Sequence, residues 1–156
     1  MNCKSFEYPA EYNRQLTEKY PFLIPRNRWT DVISKDYNYT YTDLDAMPDG
    51  WRWAFGEQMC EEIRNALLKK ENLIHKYRIT QIKEKYGYLC WYTNLTTEEL
   101  DKIVNKYAEL SKRTCICCGK PATQITRGWI SPYCDDCIDN TADDGIPIEE
   151  YFNDRK

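Results

Sequence analysis

Two cysteine pairs constrain this chain more than any other feature of its sequence. Cys115-Ile116-Cys117-Cys118 is followed, after the 15 residues 119–133, by Cys134-Asp135-Asp136-Cys137. That spacing matches the C-x2-C, roughly 15–20 residues, C-x2-C pattern of tetrahedral zinc sites. Two residues between thiolates let the backbone turn so that both sulfurs face one ion, and Gly119 can adopt the positive φ such a turn requires. Between the pairs, Gln124 to Ser131 reads as two short strands around Arg127-Gly128, which folds the second pair back onto the first. The pattern predicts a zinc ribbon holding one structural Zn2+ on Cys115, Cys118, Cys134 and Cys137. The competing reading is buried free thiols or a redox pair, since CxxC also serves in thioredoxin-like proteins; the spacing favours zinc over it. Four thiolates also complete a tetrahedral shell and leave no position for water, the mark of a structural rather than a catalytic ion.

The other four cysteines follow from the compartment. No apolar run approaches the roughly 18 residues that span a bilayer, and the N-terminus, MNCKSFEYPAEY, lacks the apolar stretch of a leader. A chain without membrane contact that is not exported is expected, and there thiols stay reduced. Cys117 is then a spare thiol inside the first pair, and Cys3, Cys60 and Cys90 act as small buried apolar residues. With 156 residues, 42% of them hydrophobic and 14% aromatic, the chain can bury one core without staples.

The hydrophobic periodicity predicts an α+β fold, helices packed on a small antiparallel sheet with the ribbon C-terminal to them. Residues 10–20 read as a short helix, and Phe22-Leu23-Ile24-Pro25 as an extended apolar piece bounded by prolines. Tyr37 to Tyr41 alternates aromatic and polar residues and suits a short strand, and Met47-Pro48-Asp49-Gly50 reads as a turn. Phe55, Met59, Ile63 and Leu67 recur every four residues from Trp53 onward, an amphipathic helix to about Glu71. Residues 77–84 and 88–93 flank Tyr86-Gly87 as a hairpin. Thr96-Thr97-Glu98-Glu99 has capping-box form before the stripe Leu100, Ile103, Val104, Tyr107, Leu110. The expected organisation is a body over residues 1–112, the ribbon packed on it over 113–140, and an acidic tail over 141–156 that docks or stays mobile through Ile146, Pro147, Ile148, Tyr151 and Phe152.

Charge bears on partners. The formal net charge is −3, but residues 64–134 carry 13 basic and 6 acidic groups, while 135–156 carry 2 and 8. The lysines of the basic segment are spaced as on solvated faces, and the overall balance lacks the Lys/Arg excess of a nucleic-acid surface. Direct nucleic-acid binding is therefore not the first expectation, although Arg127 and Trp129 near a strand turn, within the basic segment, keep a nucleic-acid-binding ribbon as the alternative. Asp135, Asp136, Asp139, Asp143, Asp144, Glu149 and Glu150 are dense enough to attract a basic protein partner. Enzyme signatures are scarce: His75 is the only histidine, at a charged helix end, and six scattered glycines build no phosphate loop. The expectation is a chain that is not an enzyme.

The order Ile82-Lys83-Glu84-Lys85-Tyr86-Gly87, then Leu89 and Trp91-Tyr92, a charged helix, Cys-x2-Cys-Gly, Gly128-Trp129 and Cys-x2-Cys resembles a family of small phage and prophage zinc-ribbon proteins over residues 77–137. In that family the hairpin typically reads Lys-Glu-Lys-Phe-Gly-Gly-Leu-Arg-Phe-Tyr. This chain has Tyr88 and Cys90 where the family often has Gly and Arg, so no role of that Arg carries over. The chain is also similar to zinc-containing phage anti-CRISPR proteins. That resemblance implies a host-cytoplasmic inhibitor of a defence nuclease, a type II CRISPR effector, that blocks nucleic-acid loading by protein–protein contact. The alternative it leaves open is an adaptor whose ribbon is an interaction module.

Overall fold

The computed structural model describes residues 6–154, so Cys3 lies outside the described residues. Helix α1 spans Ala10–Lys19. It runs into one 3-10 turn, Pro21–Leu23, where an extended piece was expected; Pro21 sits at the start of that turn, where its missing N–H costs nothing. Phe22 and Leu23 are buried there. The Tyr37 to Tyr41 segment forms no strand. Its rings pack on one another instead, Tyr37 lying 4.8 Å from Tyr39 and 5.6 Å from Tyr41, and the Tyr37 hydroxyl donates to the Tyr41 carbonyl at 2.5 Å. Tyr39 takes a φ of 63°, which no strand tolerates.

The first long helix begins earlier than periodicity indicates. Its opening turn, α2 (Asp49–Trp51), continues through a π-helical turn, Arg52–Gly56, into α3 (Glu57–Leu68). Pro48 and Asp49, read as turn residues, are here the N-cap and the first-turn acid of a helix. The π turn follows from the stripe itself. Trp51, Phe55, Met59, Ile63 and Leu67 are all buried at four-residue steps, whereas an α-helix turns every 3.6 residues or so. Such a stripe would wind off the core, and one wider turn takes up part of the excess.

After the short helix α4 (Leu73–Lys76), strands β1 (Ile79–Lys85) and β2 (Tyr88–Thr93) pair antiparallel with Ile82 opposite Trp91 and Lys85 opposite Tyr88. Tyr86 and Gly87 both have positive φ, 51° and 84°, the two-residue turn whose twist matches the strands it joins. Thr97, one residue later than the capping box predicted, caps α5 (Glu98–Ser111) by accepting the Leu100 N–H at 3.2 Å. The core lies where α3, α5 and the hairpin meet, with Trp51, Met59, Ile63, Leu67, Leu89 and Leu100 almost fully enclosed. Ser111 ties α5 to β2, its Oγ accepting the Leu89 N–H at 2.8 Å. Among the described residues no helix is long and apolar enough to cross a membrane.

The ribbon sheet has strand order β4-β3-β5, with β3 (Gln124–Thr126) central between β4 (Pro132–Tyr133) and β5 (Gly145–Pro147), both antiparallel to it. β5 and the helix α6 (Ile148–Asn153) lie in the segment read as an acidic tail. Ile148 is buried, Arg113 stands 4.6 Å over the Phe152 ring, and Arg113 pairs with Glu149, so this segment docks. A proline in a three-residue run argues against a strand in sequence, but Pro147 sits at the end of an edge strand, where it is tolerated.

Asp43, in the 3-10 turn Asp43–Ala46, supplies a test of the body. Burial raises its pKa from 3.8 to about 7 against a smaller opposing pull from Arg28. The folded state therefore holds this proton more tightly than the unfolded chain does. The resulting stability is fully present below about pH 4 and is lost as pH rises through about 7. Asp43→Asn is expected to leave stability unchanged at pH 4 and to raise it by about 1–2 kcal/mol at pH 8, the full shift being reduced by solvent at this half-buried site. Denaturant unfolding at the two pH values checks this; a gain of equal size at both would refute the titration account.

Candidate metal centre

Each half of the cluster is a turn that aims sulfur and amide groups at one point. In the first, the Cys115 N–H donates to the Lys120 carbonyl at 2.8 Å and the Gly119 N–H to the Cys115 carbonyl at 3.0 Å. The chain can close so tightly because Gly119 has φ 85°. In the second, Cys137 and Ile138 both donate their N–H groups to the Cys134 carbonyl at 3.1 Å. The β3–β4 pairing brings the two turns together. The sulfurs of Cys115, Cys118, Cys134 and Cys137 all lie within 4.8 Å of one another, with Cys118 and Cys134 3.6 Å apart. Sulfurs around one tetrahedral ion at about 2.3 Å would stand about 3.8 Å apart, so small adjustments close the shell.

The electrostatics of the cluster fit a cation. Burial pushes the Cys118 thiol up, but the Lys120 backbone N–H and donated bonds from Cys134, Cys137 and Cys115 outweigh it and hold Cys118 below the ordinary thiol value. Burial and hydrogen bonding with neighbouring sulfurs push Cys134 and Cys137 the other way. Without metal, then, charge is favoured on Cys118 and protons are favoured on Cys134 and Cys137. A divalent ion would displace those protons and satisfy every sulfur at once. Three of the four cysteines are buried and Cys118 is partly so; such a site could hold one metal ion, such as zinc, in a closed coordination shell.

Cys117 takes no part in this cluster and is not the spare thiol expected, because it is disulfide-bonded. Cys60 and Cys90 are buried free thiols, as their isolation in sequence indicated. His75 is exposed. The seven acids proposed as a partner surface are unevenly available. Asp135 accepts from Thr123 Oγ1 at 2.7 Å and from Gln124 Nε2 at 3.0 Å, and Asp136 pairs with Lys120 at 3.1 Å. Asp143 accepts the Trp129 N–H at 3.2 Å, and Glu149 pairs with Arg113. Asp139, Asp144 and Glu150 have no side-chain partner among the described residues.

Residues that anchor the cluster to the body are absent from the sequence reading. Trp51, fully buried, donates its indole N–H to the Thr114 carbonyl at 2.9 Å. The Gly50 N–H donates to the Ile116 carbonyl at 3.0 Å. A methyl group at Gly50 would strike the Cys115 carbonyl and stand 2.6 Å from that of Ile116, and one at Gly119 would stand 2.6 Å from the Gly50 carbonyl. The metal turn thus lies backbone against backbone on the start of α2. A hydrogen bond here adds about 1 kcal/mol net, less than the roughly 3 kcal/mol expected from enclosing an indole, so packing of Trp51 is the stronger tie. The signal available in sequence was Gly50 itself, a glycine in the first turn of a helix where an ordinary residue would serve better.

Gly50→Ala is expected to destabilise the protein by about 2–3 kcal/mol, since its methyl meets unyielding backbone, and to speed metal loss to a chelator. Thermal unfolding and metal release checked against Asn105→Ser, an exposed position on α5 away from this contact, would show it; unchanged release with Gly50→Ala would mean that the turn does not rest on α2. No protein-family model, curated protein or solved structure matches this chain.

Proposed function

We propose that this chain is a non-enzymatic binding protein built around one structural zinc ion. Its target, following the likeness of residues 77–137 to small phage and prophage proteins, is a host defence nuclease of the type II CRISPR class. It acts in the host cytoplasm by covering the surface through which that nuclease loads nucleic acid.

The all-sulfur donor set carries the first part of this reading. Soft thiolates at tetrahedral separations favour zinc over hard cations such as magnesium or calcium. Four protein ligands fill the shell, so the ion would have no site for a reacting water. A role for the metal in shape follows. The partner reading is supported by complementarity: a nuclease presents Lys- and Arg-rich surfaces to its substrates, and an acidic chain can compete for them. Because four of the seven C-terminal acids are engaged within the ribbon, Asp139, Asp144 and Glu150 are assigned the contact with a basic partner.

Elemental analysis should give one zinc per chain, and Cys118→Ser or Cys137→Ser should lower this and unfold at least the ribbon. A fully folded protein without metal would overturn the structural-zinc assignment. The partner is tested separately, by adding the full-length protein in molar excess to a guide-loaded effector and to an unloaded one before measuring DNA cleavage. Inhibition greatest when the protein is added before loading, and reduced at least fivefold by Asp144→Lys with Glu150→Lys, is expected. Unimpaired cleavage would remove the nuclease while leaving the zinc assignment standing.

A further inference from the structure

We infer that the outward face of the β1–β2 hairpin, with the ribbon loop that packs against its tip, binds single-stranded nucleic acid by stacking bases on Tyr86 and Trp129 beside a row of lysines. This goes beyond the inhibitor reading and does not rest on it.

The strand register builds the face. Ile82 and Glu84 stand opposite Trp91 and Leu89, and Ile82, Trp91 and Leu89 are core residues. The alternate positions, Lys83 and Lys85 with Tyr88 and Tyr92, therefore fall on the other side of the sheet. Their contacts agree: the Lys83 ammonium lies 5.7 Å from the Tyr92 ring centre and the Lys85 ammonium 5.6 Å from that of Tyr86, while Lys112, from the end of α5, lies 5.7 Å from that of Tyr88. At the tip, a methyl group at Gly87 would stand 3.0 Å from the Ile130 side chain and 3.2 Å from its carbonyl, so the hairpin turn and the ribbon loop touch. Between them opens a groove of about 370 Å³ lined by Lys83, Glu84, Lys85, Tyr86, Gly128, Trp129 and Ile130. Tyr86 is 69% exposed and Trp129 71%. Both rings thus stand largely open to solvent on tight turns.

Charge selects the occupant. The acids nearest the groove are occupied: Glu84 accepts the Gly87 N–H at 2.8 Å and Asp143 the Trp129 N–H, each fixing the turn that carries an exposed ring. No carboxylate pairs with Lys83 or Lys85 among the described residues. Free ammonium groups beside exposed aromatic faces match a ligand that alternates phosphates with planar bases, and a single strand presents both. A duplex hides its base faces in the stack. A second copy related by a two-fold axis would set lysine against lysine. An acidic peptide would leave both rings unused. The acidic balance of the chain lies mostly in residues 31–63 and 135–156, which makes the affinity modest and steeply dependent on salt.

Fluorescence anisotropy of labelled 20-nucleotide dT and rU strands, a 20-base-pair duplex and a poly-glutamate control, added to the zinc-loaded full chain at several salt concentrations, tests this. Single strands are expected to bind more tightly than duplex or poly-glutamate. Tyr86→Ala and Trp129→Ala should each weaken binding by about tenfold. Lys83→Gln and Lys85→Gln should each reduce the slope of log affinity against log salt by about 0.7. All four side chains are at the surface, and unchanged melting temperatures would show the variants intact. No binding of any strand at 20 mM salt, binding indifferent to both aromatic substitutions, or poly-glutamate binding as tight as dT would each overturn the inference. So would a Trp129→Ala variant that loses capture of a host protein while strands never bind, which would give the face to a protein.

Discussion

The interaction on which the rest of the C-terminal half depends is the convergence of four sulfurs on one point. The ribbon has three short strands, of which β4 contributes two residues, and its buried cluster consists of cysteines rather than aliphatic side chains. An assembly this small cannot bury enough apolar surface to offset the entropy of ordering its turns. Metal binding would supply the difference, because at such a site the free energy of coordination is free energy of folding. The order of β3, β4 and the loop carrying Trp129 therefore follows from whether those sulfurs share an ion.

The cluster does not stand apart from the body. Thr114 and Cys115 follow α5 almost without a link, and the same two residues meet Trp51 and Gly50 at the start of α2. The first metal turn is thus clamped between the end of one core helix and the beginning of another. That explains why a glycine is retained at a helix start where it lowers intrinsic helix stability by about 1 kcal/mol: the close approach of two backbones is possible only without a side chain. It also explains why the helix must reach back to Asp49. A helix beginning at Trp53 would leave neither Gly50 nor Trp51 placed to receive the turn.

How much of this was legible in sequence divides along the range of the interactions. The cysteine quartet, the Tyr86-Gly87 hairpin and the α3 and α5 stripes are local patterns with fixed spacing, and the α+β architecture they imply is the one observed. Long-range contacts were not legible. The helical start at Pro48-Asp49-Gly50 uses residues equally suited to a turn, and only the packing of Trp51 against Thr114 decides between them. The tyrosine alternation at Tyr37 to Tyr41 has strand period but no partner strand, so ring packing won. β5 was missed because a three-residue edge strand draws its stability from β3 and not from its own sequence. Cys117 shows the same limit, since spacing alone assigned it no partner.

The docking of the C-terminal segment changes what charge means in this chain. Counted along the sequence, the eight acids after Cys134 look like a free acidic tail. In the fold they do structural work: Asp135 braces β3 through Thr123 and Gln124, Asp143 caps the loop that carries Trp129, and Glu149 holds α6 to the end of α5. Only the acids paired with a cation, Glu149 with Arg113 and Asp136 with Lys120, lose their field beyond the surface, since an internal pair nearly cancels at the screening distance of about 10 Å. Asp135 and Asp143 accept from neutral donors and keep their charge. The hairpin face is the converse case. Its lysines lie over tyrosine rings, which leave their charge intact, and its nearest carboxylates are turned to backbone amides. A net charge of −3 therefore coexists with one cationic, aromatic face, which the sum along the sequence conceals.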